Sequence, residues 1–287
     1  TLHGSSAASD VYKRQLPVGC LSDISFRALH MLSNSDYVAG EDTRSVRSLF
    51  KLLKISKSIK SIISYHDHSS AHTRGKIIEL IKQGKSVALV SDAGTPLISD
   101  PGYKLVKTTI EEGFEVFSVP GPSSVIAALT VSGLPTDTFS FLGFLPNTKS
   151  KKKKLLETYL NLGSSLIIFE SGKRLQKTLE LLAETCRPST EICICRELTK
   201  LNEEVTRFKA QEGIKVTKKM RSLKGEFVIV VGKNEARDFD LKNLDEQLRK
   251  IKKSMSMKDS VDFLAEKLNI PKKIIYKKAL TLFKDNN

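Results

Sequence analysis

The stretch "ALVSDAGTPLISDPG", residues 88–102, opens as an apolar strand and turns at once into a run of Asp, Gly and Pro. With the residues before it, "KSVALVS" (85–91) has the unbroken apolar character of a strand covered on both faces, the mark of a parallel sheet. Open α/β sheets bind ligands beyond the carboxyl ends of their strands, where turns gather backbone donors. The segment 91–96, "SDAGTP", is longer than a simple strand-to-helix connection requires, and the small Ala93 and Gly94 leave the backbone open to a ligand. Asp100 has a plainer reading as a helix N-cap, with Pro101 at the first helical position and Gly113 past the end.

Outward from this stretch the chain alternates between the two periodicities. "SDISFRALHMLSNS" carries Ile24, Ala28, Met31 and Leu32 on one helical face, with Ser22 as its cap. "DYVAG", "SIISY" and "FEVFSVP" read as strands; "TRSVRSLFKLLKI", "AHTRGKIIELIKQG", "YKLVKTTIEEG" and "SSVIAALTVSG" read as helices. A break in composition near 120–137 separates this from a second alternation. It comprises a Phe-rich strand with Phe139, Phe141 and Phe144, a helix at 151–161, strands at 165–170 and 190–195, a helix at 172–185, and a last strand at 226–232. Short connections between strands and helices predict an α/β protein with mostly parallel strands. The expected organisation is an N-terminal α/β domain over 16–122, a second over 123–235, and a polar linker with a basic helical hairpin split at Pro271 over 236–287. Residues 1–15, without periodicity, read as a non-native adapter-derived segment.

The formal net charge is +15, and Lys and Arg cluster in "TKSKKKK" (148–154), in "KVTKKMRSLKG" and toward the C-terminus. Clustered basic residues without an apolar run of about 20 residues favour a polyanionic partner, nucleic acid above all, over a membrane. Cys20, Cys186, Cys193 and Cys195 form no C-x-x-C pair, and Cys193 and Cys195 fall on one face of a strand, as core residues of a cytoplasmic protein do. Neither G-x-x-x-x-G-K-[ST] nor G-x-G-x-x-G is present, so phosphate-bearing nucleotides lose ground. An adenosine compound without phosphate, such as S-adenosylmethionine, suits a turn built of small residues and carboxylates.

In chain order, "PVGCLSDI", "GEDTR", "HDH", "LVSDAGTPLISDPG", "VPGPSS", "GFLP", "FESGKRL", "RELTK" and "KGEFVIVV" resemble the family of ribosomal RNA small-subunit methyltransferase I, in the tetrapyrrole methylase superfamily. The resemblance spans essentially everything after Leu16. It implies a homodimer of two α/β domains with S-adenosylmethionine in the cleft between them. It also implies a cytidine of the decoding region of 16S rRNA as substrate, methylated on the ribose 2′-hydroxyl in naked rRNA or in the assembled 30S subunit. On this basis the donor site would draw on Pro17, Gly19, Asp92, Ala93, Gly94, Thr95, Ile98, Ser123, Ser124, Phe169, Glu170 and Glu197. Glu170 and Lys173 are candidate catalytic groups beside Asp23 and Glu197; the family often has His at the Lys173 position. Arg44, Lys151, Lys152, Lys153, Arg174, Lys272, Lys273 and Lys277 are candidates for RNA contact. The family's first strand, expected before Pro17, is missing, which predicts a chain less stable than a parent carrying it.

Other readings remain open on the residues alone. A methylase of the same superfamily could act on a tetrapyrrole or other small molecule. His66, His68 and His72 have the spacing of a metal-dependent phosphoesterase, although no His follows to complete the set. A ribosome-assembly module would account for the charge and leave "SDAGTPLISDP" without a purpose.

Overall fold

The apolar run Val87–Val90 is a strand buried along its length, and it divides its side chains between two cores. Val87 and Leu89 pack with Ile77, Ile81 and Leu105, whereas Ala88 and Val90 pack with Leu32, Val46 and Phe50. Both faces are therefore covered, as the sequence predicts for a parallel sheet. The computed structural model describes residues 11–14, 19–56, 61–66, 71–92, 94–234, 241–251, 255–268 and 272–284.

The first sheet comprises β1 (Val11–Arg14), β2 (Tyr37–Gly40), β3 (Ile62–Ser64), β4 (Val87–Val90) and β5 (Val116–Val119), in the order β3-β2-β4-β1-β5. All its described pairings are parallel. Its helices are α1 (Phe26–Asn34), α2 (Thr43–Leu52), α3 (Ala71–Lys82) and α4 (Tyr103–Glu111). The cap of α1 is Ser25, whose side chain accepts from the Ala28 N–H at 3.2 Å, and not Ser22; residues Leu21–Asp23 form a 3₁₀ turn instead.

The position read from sequence as a missing first strand is filled. Val11–Arg14 lies between β4 and β5, with Val11 opposite Val87 and Val116, and Arg14 opposite Val90 and Val119. An interior slot with unpaired N–H and C=O groups on both flanks accepts any backbone that completes its ladders, whatever the side chains. Deleting residues 1–15 would strip both neighbours of those partners. At about 1 kcal/mol net per hydrogen bond and roughly 2–4 °C per kcal/mol, the thermal midpoint is expected to fall by about 10 °C or more. An unchanged midpoint would show that β1 contributes nothing.

The second sheet comprises β6 (Phe139–Phe144), β7 (Ser165–Ser171), β8 (Glu191–Arg196), β9 (Glu204–Lys209) and β10 (Glu226–Val231), in the order β6-β7-β10-β8-β9. Here the expectation of mostly parallel strands fails, because only β6 and β7 run parallel and the other pairs are antiparallel. A short connection returns the chain from β8 directly as β9, which forces the antiparallel sense; a parallel return needs a longer crossover. On one face, α6 (Lys149–Leu160) and α7 (Gly172–Thr185) bury Leu156, Leu160, Leu175 and Leu182 against Leu166, Ile168, Ile194 and Ile229. On the other face, α5 (Ser124–Ser132) sets Val125, Ala128 and Leu129 against Ile167, Cys193, Cys195 and Val228. Cys193 and Cys195 are core residues of one face, as their spacing predicts, with their Sγ atoms 3.9 Å apart. Helix α8 (Gly213–Lys219) and β9 have no counterpart in the sequence reading.

The chain divides into two compact units, Thr1–Lys233 and Asn234–Asn287. The second contains α9 (Leu241–Ile251), α10 (Met257–Leu268) and α11 (Lys272–Lys284) around Leu244, Leu248, Val261, Leu264, Ile275 and Ala279. It is a three-helix cluster where a hairpin was expected, because Leu244, Leu248 and Ile251 recur at helical spacing within the polar segment read as linker. Among the described residues no helix is long and apolar enough to cross a membrane.

Candidate active site

Beyond the carboxyl end of β4 a cavity of about 300 Å³ opens between the loop that follows it and the second sheet. Asp92, Gly94, Thr95, Ile98, Ser99 and Asp100 line one side, and Ser123, Ser124 and Val125 at the start of α5 continue it. Phe144, Phe169, Glu170, Ser171, Cys195, Leu198 and the first residues of β10 form the opposite wall. The rule that places ligands beyond the strand ends of an α/β sheet thus finds a cavity where the opening stretch of sequence predicts one.

The loop is held in an unusual backbone conformation. Leu97 and Ser99 have φ of 74° and 63°, and across the cavity Glu197 and Thr199 flank Leu198 with φ of 49° and 62°. Side chains rarely tolerate the left-handed region, and such strain concentrates at functional loops. Gly102 (φ 132°) is obligatory where the loop enters α4, since a Cβ there would sit 2.7 Å from Leu89 Cδ2. Gly102 is also the N-cap residue of α4. Asp100 is therefore not the cap its sequence suggests; it lines the cavity and accepts a hydrogen bond from Ser91.

Small polar groups and aromatic rings divide the walls. The Thr95 hydroxyl reaches the Pro122 carbonyl at 3.5 Å, tying the loop to the turn before α5. Ser123 is the N-cap of α5, and its side chain makes no capping bond. Phe169 is fixed edge-to-face by Phe141 and Phe144, with ring centroids 4.9 and 5.6 Å away. Gly172, next to this wall, has no room for a side chain, because a Cβ would fall 1.6 Å from the Leu223 carbonyl oxygen.

The structure separates the carboxylates that the sequence grouped together. Glu170 belongs to the cavity wall but is 2% exposed, and its carboxylate is engaged by neighbouring groups. It accepts from Thr178 Oγ1 at 2.6 Å, from the Ser171 N–H at 2.9 Å and from Arg174 Nε at 3.1 Å. Lys152 Nζ donates to Thr178 Oγ1 at 3.2 Å and stands 4.0 Å from Glu170 Oε2. Burial holds the Lys152 pKa below the usual lysine range against the opposing pull of Glu170. A carboxylate engaged by these partners is poorly placed to act as a base. Lys173 is exposed and does not line the cavity.

The same network takes in two of the RNA-contact candidates, one buried and one partly exposed. Lys152 is 6% exposed and points into this network. Arg174 donates to Glu170, to Asn147 Oδ1 and to the Leu145 carbonyl, clamping the turn after β6 onto α7. Lys151, Lys153, Lys273 and Lys277 are exposed, and Lys272 is exposed in an ion pair with Asp262 at 2.7 Å. Arg44 is 87% exposed and grips Asp42 with both Nε and Nη2, which lowers the Asp42 pKa.

Gly19 and Glu197 do not line the cavity. Gly19 packs closely on Thr199 and Lys200. Glu197 accepts from the Glu226 N–H at 2.9 Å and from Lys200 at 3.1 Å; the first of these contacts is the main reason its pKa is lowered. Both residues brace the strained loop around Leu198. Asp23 is exposed in its 3₁₀ turn. Pro17, Ala93 and His68 lie outside the described residues. Sequence reasoning missed Ser99, Asp100 and Glu226; of these Asp100 carried a signal, the second Asp of "SDAGTPLISDPG", which the capping argument absorbed.

Residues 16–213 match the family described as Tetrapyrrole (Corrin/Porphyrin) Methylases. A protein of Rickettsia prowazekii (strain Madrid E), named ribosomal RNA small subunit methyltransferase I, is 40% identical over 96% of this chain and 92% of its own length. A Bacillus subtilis (strain 168) protein of the same name is 35% identical over 96% of each chain. Among solved structures, diphthine synthase superposes with a TM-score of 0.61 at 13% identity, over 78% of this chain and 89% of its own. Uroporphyrin-III C-methyltransferase from Thermus thermophilus complexed with S-adenosylhomocysteine superposes with a TM-score of 0.54 at 15% identity, over 78% of this chain and 98% of its own. These two share the fold. The chain belongs to the tetrapyrrole methylase family, in the branch of ribosomal RNA small subunit methyltransferase I, and is a methyltransferase.

Proposed function

We propose that this protein methylates the ribose 2′-hydroxyl of a cytidine in the decoding region of small-subunit rRNA, in the cytoplasm and as a homodimer. The observation that carries this reading is the cavity beyond β4, whose size and mixed lining suit an adenosyl group. Phe169 offers an aromatic face, Thr95, Ser123 and Ser124 offer hydroxyls, and Gly94 offers an unshielded backbone. S-adenosylmethionine supplies an electrophilic methyl group on a positively charged sulfur. The chain's part is to hold that donor and align the ribose, since correct alignment alone can remove roughly 7–11 kcal/mol of a bimolecular barrier. The relatives named for ribosomal RNA and the exposed lysines at 151, 153, 272, 273 and 277 support an RNA substrate.

The test is nucleoside mass spectrometry of small-subunit rRNA, naked and assembled, after incubation with protein and donor. Gain of one 2′-O-methylcytidine is the expected result. Methylation of a tetrapyrrole in parallel assays, with rRNA untouched, would overturn the substrate. Removing residues 234–287 is expected to weaken rRNA binding and flatten its salt dependence, because fewer phosphate contacts release fewer counterions. Donor affinity should stay within about twofold, since every residue lining the cavity lies in the other unit. RNA affinity that survives the deletion intact would remove the tail from recognition.

A further inference from the structure

We propose that Asp100 is the residue by which the cavity tells its charged methyl donor from the neutral thioether left after transfer. The inference rests on the assignment of the cavity to S-adenosylmethionine and adds the group that sets selectivity there.

It begins with the charge of the walls. Among the described residues lining the cavity the acidic ones are Asp92, Asp100, Glu170 and Glu226, the Glu170 carboxylate being buried in its own network, and none is Lys, Arg or His. Two of these carboxylates are answered from behind. Glu170 has Arg174 and Lys152, and Glu226 has Lys200 Nζ at 2.9 Å. Asp92 accepts the Asp42 N–H at 3.4 Å. Among the described residues Asp100 has no cation within ion-pair distance, only the Ser91 hydroxyl. The charged groups that act on it come from three directions, and all are negative: Glu41 after β2, Asp92 after β4 and Glu226 on β10. Asp92 and Asp100 thus both stand on the cavity wall without an ion-pair partner among the described residues, and of the two Asp92 is exposed whereas Asp100 is partly buried.

Burial, then Glu41 and Asp92, raise its pKa from 3.8 to about 6. Between those values the folded chain holds a proton that an unfolded chain releases, so this group's contribution to stability falls as pH rises through the window. A cation in the cavity reverses the balance. It relieves repulsion among Asp100, Asp92, Glu41 and Glu226 and favours the ionised form, so it binds more tightly as Asp100 deprotonates. A neutral thioether gains nothing from that deprotonation. The loop that carries Asp100 holds the adjoining Ser99 in the left-handed region, with φ of 63°.

The test is calorimetric titration of the full-length protein with S-adenosylmethionine and, separately, S-adenosylhomocysteine, between pH 5 and pH 7. For the unaltered protein, the affinity ratio of donor to thioether is expected to rise about tenfold across that range. Proton release should accompany donor binding, read as a dependence of the measured heat on the buffer used. Asp100→Asn should lower donor affinity about tenfold at pH 7, leave thioether affinity within about twofold, and flatten the ratio against pH. A ratio independent of pH in the unaltered protein overturns the proposal without any variant. So does an Asp100→Asn protein that folds and keeps the slope. If neither compound binds the unaltered protein, the donor-site assignment fails first and takes this inference with it.

Discussion

Glu170→Ala is expected to destabilise the protein by about 3–5 kcal/mol, because it leaves a buried ammonium without its counter-charge. The carboxylate has no access to water, and it accepts from Thr178, Arg174 and the Ser171 N–H with Lys152 4.0 Å away. Arg174 is partly exposed and can turn to solvent, whereas Lys152 is 8% exposed in its side chain and cannot. Thermal unfolding checks this, with a fall in the midpoint of roughly 10 °C. The double substitution Lys152→Met with Glu170→Leu should recover much of the loss, since replacing both partners of a buried pair by apolar groups is often close to neutral. If the single substitution behaves like a surface change, within about 0.5 kcal/mol, the network is not a structural keystone and Glu170 returns as a candidate for chemistry.

The second large effect is on binding. Ser123→Trp is expected to reduce S-adenosylmethionine affinity at least 100-fold, about 2.7 kcal/mol, with little change in stability. Ser123 lines the cavity, and as N-cap of α5 its side chain makes no capping bond, so its loss leaves no helix donor newly unsatisfied. The indole would occupy the space between the loop after β4 and Phe169. Calorimetry reads the affinity and thermal unfolding the stability. Undiminished affinity would place the donor elsewhere.

Much of the architecture was legible because burial leaves a local trace. β4 reads as continuous apolar residues, and the helices around it carry their apolar positions at helical spacing. What stayed hidden depends on partners far along the chain. The sense of β10 between β7 and β8 follows from hydrogen bonds to strands more than twenty residues away, and nothing within "EFVIVV" encodes it. β9, "EVTRFK", is an edge strand with an irregular burial pattern, so it lacks the alternation that identifies a half-buried strand.

The site divides in the same way. Gly94, Thr95, Ile98, Ser123, Ser124 and Phe169 line the cavity, and they come from motifs that the sequence displays in order. Lys152 misleads because "KSKKKK" looks uniformly solvated, yet one helical turn rotates a single lysine of that run inward to meet Glu170. Asp100 misleads because an Asp before Pro is a common helix start, and only the position of Gly102 shows that the helix begins later.

The most direct measurement is a crystal structure of the full chain grown with S-adenosylmethionine. The account predicts density for the whole donor in the cavity bounded by Thr95, Ser123 and Phe169, with its sulfonium toward Asp100. Donor found at any other place on a folded protein, with this cavity empty, would contradict it.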